Sequence, residues 1–117
     1  MKRILVVDDE VHICELYKRD LEDEGYAVSV AQSGKEALTA VEEDPPDLIV
    51  LDIQMPGMDG IETLERLVGG DKRIPVILNT AYSHYQDDYT AWQADGYVVK
   101  SSDSTKLIHE IKRLIGT

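Results

Sequence analysis

Short apolar runs alternate with helical stripes along this chain. Arg3 to Val7 is a near-continuous β-branched and Leu run that stops at Asp8-Asp9-Glu10, which predicts a strand buried on both faces. From Val11 to Glu24 the residues Ile13, Cys14, Leu16, Tyr17 and Leu21 recur at helical spacing, and Gly25 follows where a helix prefers a left-handed cap. Tyr26 to Ala31 alternates Tyr26, Val28 and Val30 against Ala27, Ser29 and Ala31, the pattern of a less buried strand at a sheet edge. Ser33 with Glu36 forms a capping box for a helix carrying Ala37, Leu38 and Val41, which closes before Pro45-Pro46. Leu48 to Asp52 is a third strand. Asp59 with Glu62 caps a helix carrying Ile61, Leu64, Leu67 and Val68, ended by Gly69-Gly70.

Pro75 to Thr80 gives a fourth strand, and Ser83 with Gln86 opens a fourth helix that is aromatic and polar rather than aliphatic. Tyr97 to Lys100 is a short fifth strand, and a last helix from about Ser104 to Ile115 carries Leu107, Ile111 and Leu114. Strands alternating with helices through short connections imply a parallel sheet covered on both faces, because each crossover is right-handed and packs back on the sheet. The expected fold is α/β: a flavodoxin-like, doubly wound sheet of five strands with five helices. Continuous interior runs and an alternating second strand fit the order 2-1-3-4-5.

Composition narrows the function. The 117 residues suit a single domain, residues 1–117. A net charge of −11 argues against direct binding of nucleic acid and favours cations or basic partner surfaces. Cys14 is alone and reads as a small core residue, so no disulfide framework exists and a cytoplasmic setting is expected. The run Ile4 to Val7 is too short for a signal peptide or a membrane span. His12, His84 and His109 have no ligand spacing between them.

The chemistry collects at strand ends. In an open sheet of this kind ligands bind beyond the carboxyl ends of the strands, where the strand order reverses. Asp8 and Asp9, Asp52, Thr80 and Lys100 all stand there. Taken singly, the acid pair reads as a turn or cap, Thr80 as a strand end, and Lys100 as a snorkelling side chain. Together they form a crevice of three carboxylates, a hydroxyl and an ammonium. Crowded carboxylates repel unless a cation is present, and an all-oxygen set favours Mg²⁺. Mg²⁺ bridges phosphoryl oxygens, and a carboxylate attacking phosphorus gives an aspartyl phosphate. Asp52, on a central strand, is the expected nucleophile, with Lys100 and Thr80 supplying charge and a donor to the phosphoryl oxygens.

These residues, with Met55-Pro56, Met58-Asp59-Gly60, Thr80-Ala81 and Tyr97, make the chain resemble a receiver domain of two-component response regulators of the chemotaxis-receiver type. The resemblance covers essentially the whole length. It implies that Asp52 accepts phosphate from a phosphohistidine on a sensor histidine kinase or a phosphotransfer protein. It implies that Asp9, Asp52, the backbone carbonyl of Gln54, and Asp8 through water hold Mg²⁺. It also implies a switch in which Thr80 moves toward the phosphate and Tyr97 turns inward, changing the face that the fourth helix, fifth strand and last helix present to an output protein. Such a domain phosphorylates itself and turns over no outside substrate. Output is expected from a separate chain or a further domain.

Three features depart from the family pattern. Ser101 stands where proline usually follows the lysine, which predicts a trans Lys100–Ser101 peptide, since a non-proline cis bond costs about 2.5–4 kcal/mol. Gln93 stands where glycine is usual. Tyr82, Tyr85, Tyr89 and Trp92 load the fourth predicted helix with aromatics, which suits packing or a partner-binding or homodimer surface, and Tyr82 is expected to shield a phosphoryl group from water. Competing readings are a pseudo-receiver acting as a phosphate-independent interaction module, an aspartyl-phosphate phosphatase, and a flavin or nucleotide binder. The phosphatase needs a second acid where Gln54 stands, and the binder needs a Gly-rich loop where Asp8-Asp9-Glu10 stands.

Overall fold

β1 (Arg3–Val7), β2 (Ala27–Ala31), β3 (Leu48–Leu51), β4 (Val76–Thr80) and β5 (Gly96–Val99) form one parallel sheet in the order β2-β1-β3-β4-β5. A computed structural model describes residues 1–53, 60–70, 73–81, 94–101 and 103–116. Its helices among the described residues are α1 (Val11–Asp23), α2 (Gly34–Glu43), α3 (Gly60–Val68) and α4 (Thr105–Ile115). Four of the five expected helices are thus described. The helix expected after Thr80, with Ser83, Gln86 and the aromatic set Tyr82, Tyr85, Tyr89 and Trp92, lies outside the described residues, as does Gln93.

Successive side chains alternate across a strand, so each central strand feeds two cores. Leu5, Val7, Ile49, Leu51, Val76, Leu78 and Tyr97 pack with Ala37 and Leu64 on the face covered by α2 and α3. Ile4, Val6, Leu48, Val50, Ile77 and Val98 pack with Cys14, Tyr17, Leu21, Leu107 and Ile111 on the face covered by α1 and α4. This is why β3 and β4 are continuously apolar over most of their length: every position is buried. β2 lies at the edge, as expected, but its alternation is imperfect. Tyr26 is buried ahead of the strand, while Val30, at the strand's far end, is exposed.

Helix ends follow their sequence signals. The Ser33 side chain accepts from the Glu36 N–H at 3.1 Å, and the Glu36 carboxylate accepts in turn from the Gln32 N–H at 3.0 Å. Ser33→Ala is expected to lower unfolding free energy by about 1 kcal/mol, measured by urea denaturation. At the end of α1, Gly25 has φ of 95°, and its N–H donates to Glu22 O at 3.0 Å while Tyr26 N–H donates to Leu21 O at 3.2 Å. That pair of bonds closes the helix in the left-handed turn that glycine permits. Among the described residues no helix is long and apolar enough to cross a membrane.

Candidate functional site

The polar groups sit one step beyond the strands, held by continuation of the ladders. Asp8 N–H donates to Ala31 O at 3.0 Å, Asp52 N–H to Val7 O at 3.0 Å, and Lys100 N–H to Thr80 O at 2.6 Å. Alternation then sets their direction. Asp8 follows Ile4 and Val6, Asp52 follows Leu48 and Val50, and Lys100 follows Val98, so all three share the face of α1 and α4. Thr80 follows Val76 and Leu78 onto the other face, which it shares with Tyr97.

On the first face the three charges meet. The Lys100 ammonium lies 2.7 Å from Asp8 Oδ2, 3.0 Å from Asp52 Oδ2 and 3.9 Å from Glu10 Oε1. Asp8 and Asp52 are almost wholly buried, and the Lys100 side chain is 13 % exposed, so the pairing is shielded from solvent. Burial pushes the Asp8 carboxyl up from its ordinary value against the opposing pull of Lys100 and the Glu10 N–H. Burial by itself would lower Lys100, but hydrogen bonds to Asp8 and Asp52 outweigh it and raise the ammonium's pKa. Asp8 is further fixed by its Oδ1, which accepts from Glu10 N–H at 2.9 Å.

Below this triad lies a floor of less charged groups. Cys14 Sγ donates to Asp8 O at 3.3 Å, and burial pushes its thiol up to about 11. That places Cys14 in the core, as the sequence implied. Asn79 Nδ2 donates to the Tyr17 hydroxyl at 2.9 Å, both side chains being buried. Burial raises the Tyr17 pKa, and among nearby charges Lys100 acts on it more strongly than Asp8 or Asp52.

The support for Asp52 is a close backbone approach. Gly60, opening α3, donates its N–H to Ile53 O at 3.3 Å. A Cβ on Gly60 would overlap Ile53 Cα and the Asp52 carbonyl oxygen, so only glycine fits beside the residue that follows β3.

The structure thus brings together Asp8, Asp52 and Lys100, with Asp9 exposed at the rim and Thr80 fully buried at the end of β4. Tyr97 is mostly buried and lines a groove with Val99, Lys106 and His109 between β5 and α4. Gln54 and the loop residues Met55, Pro56, Gly57, Met58 and Asp59 lie outside the described residues. The described residues contain no cis peptide, so Lys100–Ser101 is trans as expected. In place of proline, local bonds order the turn into α4: Ser101 Oγ accepts from Asp103 N–H at 3.1 Å, and Asp103 Oδ1 from Thr105 N–H at 3.0 Å.

The donor set fits a hard divalent cation. Carboxylate oxygens of Asp8, Asp9 and Glu10 come within 4.8 Å of one another, and Asp52 is held against Asp8 through the Lys100 ammonium. Glu10 was not singled out as a ligand by sequence, although the acidic run Asp8-Asp9-Glu10 carried the signal. Asn79 and Tyr17 were also missed; Asn79 is the one amide in the apolar run of β4.

The family model for the response regulator receiver domain matches residues 4–112. The alkaline phosphatase synthesis transcriptional regulatory protein PhoP of Bacillus subtilis is 37% identical over 116 residues, covering 97% of this chain and 48% of its own length. The chain spans about half the length of the curated relatives it matches. Among solved structures, the response regulator TrrA of Thermotoga maritima in complex with Mg²⁺-BeF superposes with a TM-score of 0.92 at 47% identity, covering 98% of this chain and 100% of that one. The same regulator in complex with the histidine kinase ThkA gives a TM-score of 0.90, covering 98% of this chain and 99% of that one.

Proposed function

Because this chain belongs to the receiver-domain family of two-component response regulators, we propose that it is a phosphorylation-activated switch whose phosphoacceptor is Asp52. The observation that carries the assignment is Lys100 bridging the buried carboxylates of Asp8 and Asp52 at the carboxyl edge of the sheet. No other described lysine or arginine is paired with two buried acids.

In the transfer, the N–P bond of a phosphohistidine breaks, an Asp52 Oδ–P bond forms, and the histidine nitrogen keeps the electron pair. Asp52 is oriented by the β3 ladder and by Gly60 behind it. Lys100 hands its ammonium from the carboxylates to the phosphoryl oxygens, and the Thr80 hydroxyl donates to them from the adjoining strand. Asp8, Asp9 and Asp52, with the Gln54 carbonyl, would hold Mg²⁺, which supplies positive charge for the phosphoryl oxygens. Thr80 and Tyr97 share one face of adjacent strands, which suits a switch in which movement of the first makes room for the second.

Residues 1–117 would act as one receiver domain with no outside substrate turned over, in the cytoplasm. The donor would be a histidine kinase or phosphotransfer protein, and the output partner would read the β5–α4 face together with the segment after Thr80, by a homodimer or by a separate output protein. Intact mass measured after incubation with Mg²⁺ and a small phosphodonor tests this. The native chain is expected to gain one phosphoryl group only with Mg²⁺, and Asp52→Asn to gain none. No gain in the native chain would favour the pseudo-receiver reading.

A further inference from the structure

The register that assembles the site places a fourth polar residue in it. β3 and β4 pair Val50 with Ile77 and Leu51 with Leu78, so one step on, Asp52 stands beside Asn79. Asn79 follows Ile77 on the α1 and α4 face, the face of Asp8, Asp52 and Lys100. Neighbouring strands lie about 4.8 Å apart, which puts Asn79 next in the row after Asp8 and Asp52.

Asn79 is 1 % exposed, and its Oδ1 has no hydrogen-bond partner among the described residues. Its Nδ2 is committed to the Tyr17 hydroxyl, which fixes the amide plane. A buried amide oxygen without a donor is costly, and an apolar residue would fill this strand position with no such cost. The arrangement makes sense if a donor arrives in another state of the site. Lys100 is the donor at hand: it lies two residues beyond Val98, which pairs with Asn79, on the same face of the sheet, and its long stem carries three N–H groups.

A divalent cation on Asp8 and Asp52 competes with the ammonium for the same oxygens and repels it. We propose that Asn79 Oδ1 is a second, uncharged seat for the Lys100 ammonium, taken up when the cation claims Asp8 and Asp52. This rests on the Mg²⁺ reading above. Asn79 is then a positioning residue. It lowers the cost of displacing Lys100, so it strengthens metal binding without touching the metal, and it keeps the ammonium near Asp52 for the incoming phosphoryl group.

Valine and threonine at position 79 have nearly the same shape and suit a strand, but only threonine offers an oxygen. Mg²⁺ dissociation constants are measured by calorimetry for the native chain, Asn79→Val and Asn79→Thr, each also combined with Lys100→Met. Asn79→Val is expected to weaken Mg²⁺ binding roughly 10-fold, the size of one lost hydrogen bond to a charged group, and Asn79→Thr to recover part of the loss. With methionine at position 100 the difference between valine and threonine is expected to vanish. Equal affinities of the two variants with Lys100 present would overturn the proposal, as would the same difference persisting without Lys100. If the native chain binds no Mg²⁺, the metal reading falls and this inference with it. Native binding with no effect at position 79 overturns the inference alone.

Discussion

Lys100→Met is expected to lower the unfolding free energy by about 3 kcal/mol at pH 7 in the presence of a chelator. The loss comes from what remains. Asp8 and Asp52 would face each other almost wholly buried with no cation between them. The pH dependence follows from Asp8, whose pKa is raised from 3.8 by burial even with Lys100 in place. The native state therefore keeps a proton that the unfolded chain releases, and stability falls as pH rises from the ordinary value through the raised one. Without Lys100 that window widens upward, so the deficit of the variant is small near pH 4 and complete above the raised pKa. Lys100 works in the opposite sense: its pKa is raised, so its contribution is full below 10.5 and is lost only as pH climbs through the raised value. Urea denaturation of both chains across this range checks the pattern, and added Mg²⁺ is expected to restore much of the loss in the variant. Equal stabilities at pH 7 would show that the bridge contributes nothing.

Gly60→Ala is expected to be the other large change, because the obstacle is backbone. The added Cβ meets Ile53 Cα and the Asp52 carbonyl oxygen, neither of which can rotate aside. Either α3 withdraws or the chain after β3 shifts, at a cost of about 3 kcal/mol. The second route also displaces the Asp52 carboxylate, and a misplacement of about 1 Å can cost on the order of 100-fold in rate. Denaturation reads the first effect, and the rate of phosphorylation by a small donor reads the second. An alanine variant as stable and as fast as the native chain would mean that the close approach has no role in placing Asp52.

Much of this was legible in the sequence because period and punctuation agreed. Continuous apolar runs gave β1, β3 and β4, and Ser33-Glu36 and Gly25 marked helix ends where they occur. The site was legible because strand ends are fixed points of this topology: Asp8, Asp52 and Lys100 come together once the strands do. What sequence alone missed was the pairing. Three crowded acids suggested a waiting metal site, but not that the single Lys100 ammonium bridges Asp8 and Asp52 while Asp9 stays at the rim with Glu10. Which charges touch depends on burial and on the four-carbon reach of a lysine, neither of which leaves a period in the sequence. Asn79 left a visible trace, an amide inside VILNT, that periodicity counts only as an interruption. Its meaning needed the register with β3 and the Tyr17 hydroxyl from a helix 62 residues earlier. Boundaries moved by a residue where a ladder continues past the strand, as at Lys100, which follows β5 instead of ending it.

The claim that Asp52 is the phosphoacceptor is tested most directly by locating the label. Borohydride reduces an aspartyl phosphate to homoserine, so the chain is phosphorylated with Mg²⁺ and a small donor, reduced, digested and sequenced by mass. Homoserine at position 52 alone is the predicted result. Homoserine at position 8 or 9, or label on another residue with position 52 unchanged, would contradict the account.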